Sequence, residues 1–222
     1  MKKIILLLSI VSLVTFSSEY FEDMFKMIDK NNSNLKTSIN IFNPSDEGIR
    51  EEYKKLGLDN NLDYDIFKTA VDGFKKVKKK KRNVLTIVDF SKSSSNKRFF
   101  VIDFDQNKVV YSSLVAHGKN SGGDYATEFS NSIDSNMSSL GFYLTGYTYE
   151  GSNGYSLKLY GLEHDINDNA EARSIVIHGA EYATSDFLNS NGHLGRSLGC
   201  PALPLEDSSK IIDELKGGSV VF

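Results

Sequence analysis

The sequence has no tryptophan, a single cysteine and, beyond its first residues, no long apolar run. Because Cys200 stands alone, a disulfide framework within one chain is excluded. The 26 basic residues are slightly outnumbered by 29 acidic ones, which gives a formal net charge of −3. The chain therefore lacks the overall basic field of a nucleic-acid-binding protein, and no nucleic-acid partner is predicted.

The composition is that of a globular protein. The 222 residues are 40% hydrophobic and 25% charged, which argues against wholesale disorder and against a collagen-like chain. This length suits one medium domain, with or without a small additional piece. A chain of this size can bury about 70% of its unfolded surface, which is enough for a real core.

The N-terminus has the pattern of a targeting segment. Lys2 and Lys3 precede an apolar run over residues 4–14, and small residues follow it. The run is shorter than the ~20 apolar residues that span a bilayer, so residues 1–18 are predicted to be a secretory signal peptide, with an uncleaved anchor as the alternative. The protein is then expected to be exported to the periplasm or cell envelope, with no membrane segment beyond this one.

Residues 19–82 are predicted to form a helical N-terminal region. Helices are expected near residues 21–28, from Ser45 as N-cap, and from about Asp63. The third ends in a run of six lysines and an arginine over residues 75–82. That run either binds an anionic polymer or lipid headgroups, or is simply the solvated C-terminus of the helix, where cations are stabilised.

Residues 83–222 change to short, β-rich segments, which makes the whole chain α+β. The predicted strands are 84–90, 98–105, 108–117, 141–146, 156–161, 174–178 and 219–222. A last helix is expected over 205–215, stopped by Gly217 and Gly218. The stretch 120–139 is a long polar loop, of the kind that often carries function on a β scaffold.

Two segments near the C-terminus carry candidate chemistry. His178 ends a strand of buried type and is followed by Gly179, which would let a substrate backbone approach closely. Gly195 and Gly199 bracket the loop before Cys200, where glycines can leave backbone N–H groups free as an oxyanion hole. An imidazole near Cys200 would lower the thiol pKa and create a nucleophile, whereas an isolated cysteine is more often a small packed apolar residue.

These residues also carry a family resemblance. His178-Gly179-Ala180, followed by Ser197-Leu198-Gly199-Cys200, resembles the His-Gly…Ser-x-Gly-Cys signature of L,D-transpeptidases, the YkuD-like peptidoglycan enzymes. The longer form, 195–202, is similar to the murein L,D-transpeptidase catalytic domain family. Further segments similar to that branch are residues 88–91, 116–118, 129–131, 138–141, 167, 169–170 and 173.

The resemblance implies a mainly β catalytic domain, a YkuD-like β-sandwich, over residues 83–222. It implies Cys200 as nucleophile, His178 as base, and Ser197 and Gly199 as members of the catalytic loop. The implied reaction takes peptidoglycan stem peptides: Cys200 attacks the carbonyl of the third residue, D-alanine leaves, and an amine of a second stem accepts the acyl group in a 3→3 crosslink. Neither a metal nor an organic cofactor is implied.

One position departs from the better-known members of the family, which carry an arginine two residues after the cysteine. Here that position is Ala202. Arg173 or Arg196 is therefore expected to contact the donor's carboxylate as a bidentate partner. Further predicted substrate-binding residues are Gly179, His117, Asn131 and Ser139. His193, in the same loop, competes as base, but its Gly- and Asn-rich setting favours His178.

Other functions share some of these features. Water as acceptor would make the protein an L,D-carboxypeptidase, and an inert Cys200 would leave a non-catalytic wall-binding protein. A zinc amidase would need ligand pairs, but the four histidines form no His-Glu-x-x-His or other familiar short pair. A sortase or cysteine peptidase fits the Ser-x-Gly-Cys loop poorly. The acyltransferase is the preferred hypothesis.

Overall fold

A computed structural model of the chain describes residues 46–222. The predicted signal peptide and the helix expected near residues 21–28 lie outside this range. None of the helices within it is long and apolar enough to cross a membrane. The described residues belong to one compact unit.

Two helices precede the sheet, as predicted from the apolar spacing. Helix α1 spans Asp46–Lys55 and places acidic residues in its first turn and lysines in its last, which matches the helix dipole. Helix α2 spans Tyr64–Lys76, and its N-cap Asp63 accepts hydrogen bonds from the N–H groups of residues 65 and 66 through Oδ1.

Eight strands form the rest of the frame. Their bounds are β1 Val84–Val88, β2 Phe99–Asp103, β3 Lys108–Ser113, β4 Tyr143–Gly151, β5 Gly154–Gly161, β6 Val176–Ala180, β7 Ala202–Pro204 and β8 Val220–Val221. Helix α3 spans Ser185–Asn191, and helix α4 spans Leu205–Leu215. The prediction missed α3 and β7, which are only seven and three residues long.

All eight strands belong to one mixed sheet in the order β3-β2-β1-β8-β4-β5-β6-β7. The pairs β1–β8 and β6–β7 are parallel, and the other pairs are antiparallel. The C-terminal strand β8 therefore joins the two halves of the sheet, between β1 and β4. The α+β class is confirmed, with helices ahead of a mainly β region.

Both faces of the sheet are covered around β2, whose five residues are all buried. Phe99 and Val101 belong to a core shared with β5, β6 and α4. Phe100 and Ile102 belong to a second core shared with α1 and α2. Alternation along one strand thus joins the helices to the sheet and gives the layering expected of this fold.

Candidate active site

The predicted nucleophile, Cys200, lies just before β7 and against β6. In the parallel pair of strands, His178 is opposite Ala202. The Cys200 Sγ lies 3.5 Å from Val176 N, which donates to it, and donates towards Ser174 O at 3.7 Å. Cys200 precedes Ala202 by two residues, as Val176 precedes His178, so continuing this register puts Cys200 beside Val176, two residues before His178. The fold therefore places Cys200 next to the strand that carries His178.

The ring of His178 is oriented by its own strand. The side chain is buried, and its Nδ1 lies 2.9 Å from Gly179 O. A carbonyl oxygen can only accept, so Nδ1 carries the proton in this hydrogen bond. The Nε2 atom is then unprotonated and able to take a proton from a thiol or an amine.

The protonation of the two groups differs from the expectation based on sequence. Burial raises the pKa of the Cys200 thiol, although Val176 N–H and the Arg173 guanidinium act in the other direction. Burial also lowers the pKa of His178, against a smaller opposing effect of its bond to Gly179. The predicted lowering of the thiol pKa is therefore wrong, because desolvation of the thiolate outweighs its charge partners. The resting pair is a neutral thiol and a neutral imidazole.

The loop before Cys200 is closed by Ser197. Its Oγ donates to Cys200 O at 2.6 Å and accepts from Gly199 N–H at 3.1 Å. The N–H of Gly195 donates to Tyr182 O at 2.7 Å. Both glycine N–H groups are thus occupied, which corrects the prediction that they form an oxyanion hole. Among the described residues, the Cys200 N–H has no acceptor.

Residues 116–119 hold this loop through two isolated β-bridges. Ala116 pairs with Ala202, and Gly118 pairs with Ser197. The N–H of Ser197 donates to His117 O at 2.9 Å, and Lys119 N–H donates to Ser197 O at 2.8 Å. The position of the nucleophile loop therefore depends on a segment about 80 residues earlier in the chain.

Arg173 contacts the polar loop rather than an open cleft. Its Nη1 donates to Ser130 O at 2.7 Å and to the Ser139 Oγ, and its Nη2 donates to the Ser135 Oγ at 3.1 Å and to Met137 O. Both Nη atoms are therefore engaged by residues 130–139. This arrangement corrects the expectation that Arg173 is available to a donor carboxylate.

Asn131 and Ser139 are likewise tied into the loop. The Asn131 side chain donates to Asp168 Oδ1 at 2.6 Å and accepts from Asn169 N–H at 3.1 Å. The Ser139 Oγ donates to Ser130 O at 3.0 Å. These two side chains fold the loop against its neighbours, and the binding role expected of them stays a prediction.

His117 is buried and belongs to a polar cluster behind the nucleophile loop. Arg98, which is fully buried, donates from Nη2 to the His117 Nδ1 at 2.8 Å. Burial, with help from Arg98, lowers the pKa of His117 to about 4. The ring is thus neutral and 1% exposed, which corrects the prediction that it lines the cleft.

The positions of Ala202 and Arg196 explain how this chain departs from better-known relatives. Ala202 is fully buried in a small core with Ala116, Ala180 and Leu194, which leaves no room for an arginine. Arg196 is exposed and makes one hydrogen bond, from Nη1 to Gly122 O at 3.2 Å. Arg196 is thus the arginine of the nucleophile loop that remains accessible to a ligand.

Gly179 serves helix packing. A Cβ atom at this position would lie 2.4 Å from the Ser208 Oγ of α4 and 3.1 Å from Leu205 Cδ2. The absence of a side chain therefore lets α4 approach β6 closely. The approach of a substrate backbone to Gly179 stays a prediction.

Two site residues were missed by the sequence reasoning. The first is Tyr182, which packs against Gly195: a Cβ atom at residue 195 would lie 2.4 Å from the Tyr182 Cβ. Burial, together with Cys200, raises the pKa of Tyr182 to about 12. Ser138 donates from Oγ to Gly199 O at 3.1 Å. The sequence indicated the Ser138–Ser139 pair but could not tell which of the two reaches the nucleophile loop.

The other histidines lie elsewhere. His193 bonds through Nδ1 to Leu194 O at 2.8 Å, in the turn after α3. His164 is exposed and lies with Asp165 and Asp168, with potential ligand atoms within 4.8 Å of one another. Within the described residues this is the one group of three potential metal ligands, and it includes neither Cys200 nor His178.

Comparison with solved structures finds distant similarity to L,D-transpeptidases. An L,D-transpeptidase from Mycobacterium smegmatis is 13% identical, with 64% of this chain and 58% of that chain covered and a TM-score of 0.40. One from Stackebrandtia nassauensis is 17% identical, with coverages of 78% and 74% and a TM-score of 0.37. The helical cell shape determining protein Pgp2 from Campylobacter jejuni is 13% identical, with coverages of 64% and 47% and a TM-score of 0.38.

The chain thus spans less than two thirds of the length of the Mycobacterium smegmatis protein. No curated protein sequence matches it. A family profile for the L,D-transpeptidase catalytic domain, YkuD_2, matches residues 58–222, which include α2, the whole sheet and the Cys200 loop. The chain therefore belongs to the YkuD_2 family of L,D-transpeptidase catalytic domains.

Proposed function

We propose that the protein is an exported cysteine acyltransferase that forms 3→3 crosslinks between peptidoglycan stem peptides. The observation that carries the proposal is the position of Cys200 against β6, where its Sγ contacts the backbone N of Val176, two residues before His178. The orientation of His178, with Nδ1 bonded to Gly179 O, supports a base at Nε2. Export rests on the targeting pattern of residues 1–18.

The first half-reaction acylates the thiol. His178 Nε2 takes the proton of the Cys200 thiol as the sulfur attacks the carbonyl carbon between the diamino acid and D-alanine. The C–N bond breaks, D-alanine leaves with the proton returned by His178, and a thioester joins the stem to Cys200. Because both groups rest neutral, proton transfer accompanies attack rather than preceding it.

The second half-reaction passes the acyl group to an amine. The side-chain amine of a second stem attacks the thioester, His178 accepts the proton, and the sulfur leaves as the thiol once it regains a proton. The product is an amide between two third-position residues. Water in place of the amine would release a tripeptide, which is the carboxypeptidase outcome.

Donor recognition is assigned to Arg196. It is exposed, four residues before Cys200, and its guanidinium makes one hydrogen bond to the protein. A charged hydrogen bond to a carboxylate contributes about 1.5–3 kcal/mol, or roughly ten- to a hundredfold in kcat/KM. Arg196→Gln should therefore lower kcat/KM for donors with a free diamino-acid carboxylate and spare donors in which it is amidated. Equal loss on both donors would contradict the assignment.

The proposed function is tested with the mature protein and defined disaccharide tetrapeptides carrying meso-diaminopimelate or L-lysine at the third position. Mass spectrometry should detect a covalent acyl adduct on Cys200, D-alanine release and crosslinked dimers. Cys200→Ala should abolish all three and keep the unfolding midpoint of the wild type. Tripeptide without dimer would identify a carboxypeptidase, and binding without any product would identify a wall-binding protein.

A further inference from the structure

We propose that Ser138 is a positioning residue that aims the Cys200 N–H at the carbonyl oxygen of the donor, as part of the proposed acyl transfer. Ser138 lies at the end of the polar loop, 62 residues before the nucleophile. It is 2% exposed, so its hydroxyl group is held inside the protein. Its role rests on the hydrogen bonds around one peptide group, the one that joins Gly199 to Cys200.

The Ser138 hydroxyl is fixed from both sides. Its Oγ donates to Gly199 O at 3.1 Å and accepts from Gly118 N–H at 3.0 Å. The backbone N–H of Ser138 in turn donates to the Oγ of the fully buried Ser121 at 2.8 Å. Gly118 also forms the isolated β-bridge with Ser197. Ser138 is therefore anchored to the same segment that holds the nucleophile loop.

The orientation of the Cys200 N–H follows from that bond. A trans peptide is planar, and its C=O and N–H groups point in opposite directions. With Gly199 O held by Ser138, the Cys200 N–H must point away from Ser138. The Cys200 N–H also has no acceptor among the described residues, whereas Gly199 N–H and Cys200 O both bond to the Ser197 hydroxyl.

Gly199 is required for this arrangement. Its φ of +123° is a conformation that side chains rarely adopt, and a Cβ there would lie 2.7 Å from Met137 O. The glycine thus permits the peptide to turn its carbonyl group towards Ser138 and its N–H the other way. An N–H held in this manner can stabilise the negative charge that develops on the carbonyl oxygen during attack.

The test separates carbonyl chemistry from thiol reactivity. Alkylation of Cys200 by iodoacetamide displaces iodide from a saturated carbon and forms no oxyanion, whereas acylation by a tetrapeptide stem does. Removing one oxyanion donor outright costs roughly 10²–10³ in kcat, so loosening it should cost about ten- to a hundredfold. Ser138→Ala should therefore slow D-alanine release by that factor and leave the alkylation rate within about twofold of wild type.

Two further variants make the outcome specific. Ser121→Ala keeps the Ser138 hydroxyl but removes the acceptor of its backbone N–H, so it should give a smaller loss of D-alanine release with unchanged alkylation. Ser132→Ala, on the exposed part of the same loop, is the matched control and should change neither rate. Unfolding in urea monitors the fold of each variant.

The proposal is overturned if Ser138→Ala and Ser121→Ala both release D-alanine at the wild-type rate. It is also overturned if alkylation and D-alanine release fall together, since Ser138 would then support the thiol or the whole fold rather than the oxyanion donor. If Ser138→Ala does not fold, Ser121→Ala decides on the same two rates. A wild-type protein that releases no D-alanine would instead refute the proposed acyl transfer itself.

Discussion

Cys200 combines a nucleophilic group with a buried position, and the chemistry at the residue scale follows from this conflict. Its Sγ accepts a hydrogen bond from the backbone of β6, and the titratable groups that interact with it electrostatically are Arg173 and Tyr182. Only Arg173 favours the thiolate by its charge, since Tyr182 and His178 rest neutral. The thiol is therefore protonated until a base takes its proton.

We expect iodoacetamide to alkylate Cys200 with an apparent pKa above the value of about 8.5 for free cysteine. Arg173→Gln should move that pKa further up, because it removes the cation that stabilises the thiolate. Since Cys200 is the only cysteine, mass spectrometry of the intact protein follows the reaction as a function of pH. Arg50→Gln, at an exposed position of α1, is the control. An apparent pKa below that of free cysteine would indicate a preformed thiolate–imidazolium pair.

The general base has its own pH signature. Because the pKa of His178 is lowered in the folded protein, its neutral form should persist below pH 6.5. We therefore expect kcat/KM for D-alanine release to stay constant as the pH is lowered to 6.5 and to fall only below that value, where His178 becomes protonated. His178→Gln should lower the rate by about 10²–10⁴, and His193→Gln should leave it nearly unchanged. The opposite ranking of the two variants would assign the base to His193.

At the scale of elements, close approach between helices and strands depends on particular glycines. Gly73, in the middle of α2, faces Phe142, which stacks on Phe222 with ring centroids 4.5 Å apart. A Cβ at residue 73 would lie 1.9 Å from Phe142 Cζ. The glycine thus lets α2 pack onto the aromatic pair at the C-terminal end of the sheet.

Alanine at residue 73 tests that packing. An exposed mid-helix Gly→Ala change usually stabilises a protein by about 1 kcal/mol. Here we expect Gly73→Ala to lower the free energy of unfolding in urea by about 1–3 kcal/mol, because the methyl group overpacks the contact with Phe142. In a Phe142→Leu background the same change should cost less, and a double-mutant cycle measures the difference. Equal effects in both backgrounds would show that Phe142 is not the obstacle.

On the scale of the whole molecule, the nucleophile loop depends on a buried cation. Arg98 donates from Nε and Nη2 to Val115 O at 3.1 and 2.9 Å, from Nη1 to Lys92 O at 2.7 Å, and to His117. Burial lowers the pKa of Arg98 to about 10, which leaves it charged at neutral pH. His117 O then accepts from Ser197 N–H, so the network extends to the active site.

Replacing this arginine should destabilise the whole domain. Arg98→Met leaves the buried Val115 O, the partly buried Lys92 O and one imidazole nitrogen without their donor, at about 1–3 kcal/mol for each unsatisfied buried group. We therefore expect a loss of about 3 kcal/mol or more in urea unfolding. Arg50→Met removes an exposed ion pair of 3.7 Å and should change stability by less than about 0.5 kcal/mol. A similar small loss for Arg98→Met would mean that water replaces the guanidinium at little cost.

The sequence by itself determined the features that depend on local patterns. Apolar spacing was sufficient for α1, α2 and α4, and α4 has the predicted bounds of 205–215. The N-cap predicted at Ser45 lies outside the described residues. The order of motifs around His178 and Cys200 was sufficient for the family, because that signature is carried by adjacent residues. Alternation and turn residues also indicated seven of the eight strands.

Only the tertiary structure decided what surrounds those residues. Whether Arg173, Asn131, Ser139 or His117 faces a cleft depends on loops that meet from distant parts of the chain, and the fold turned all four towards neighbouring backbone or side chains. The sign of the Cys200 pKa shift depends on burial, which a motif does not encode. The contact of Ser138 with Gly199 O joins residues 61 apart, and no local pattern distinguishes it from its neighbour.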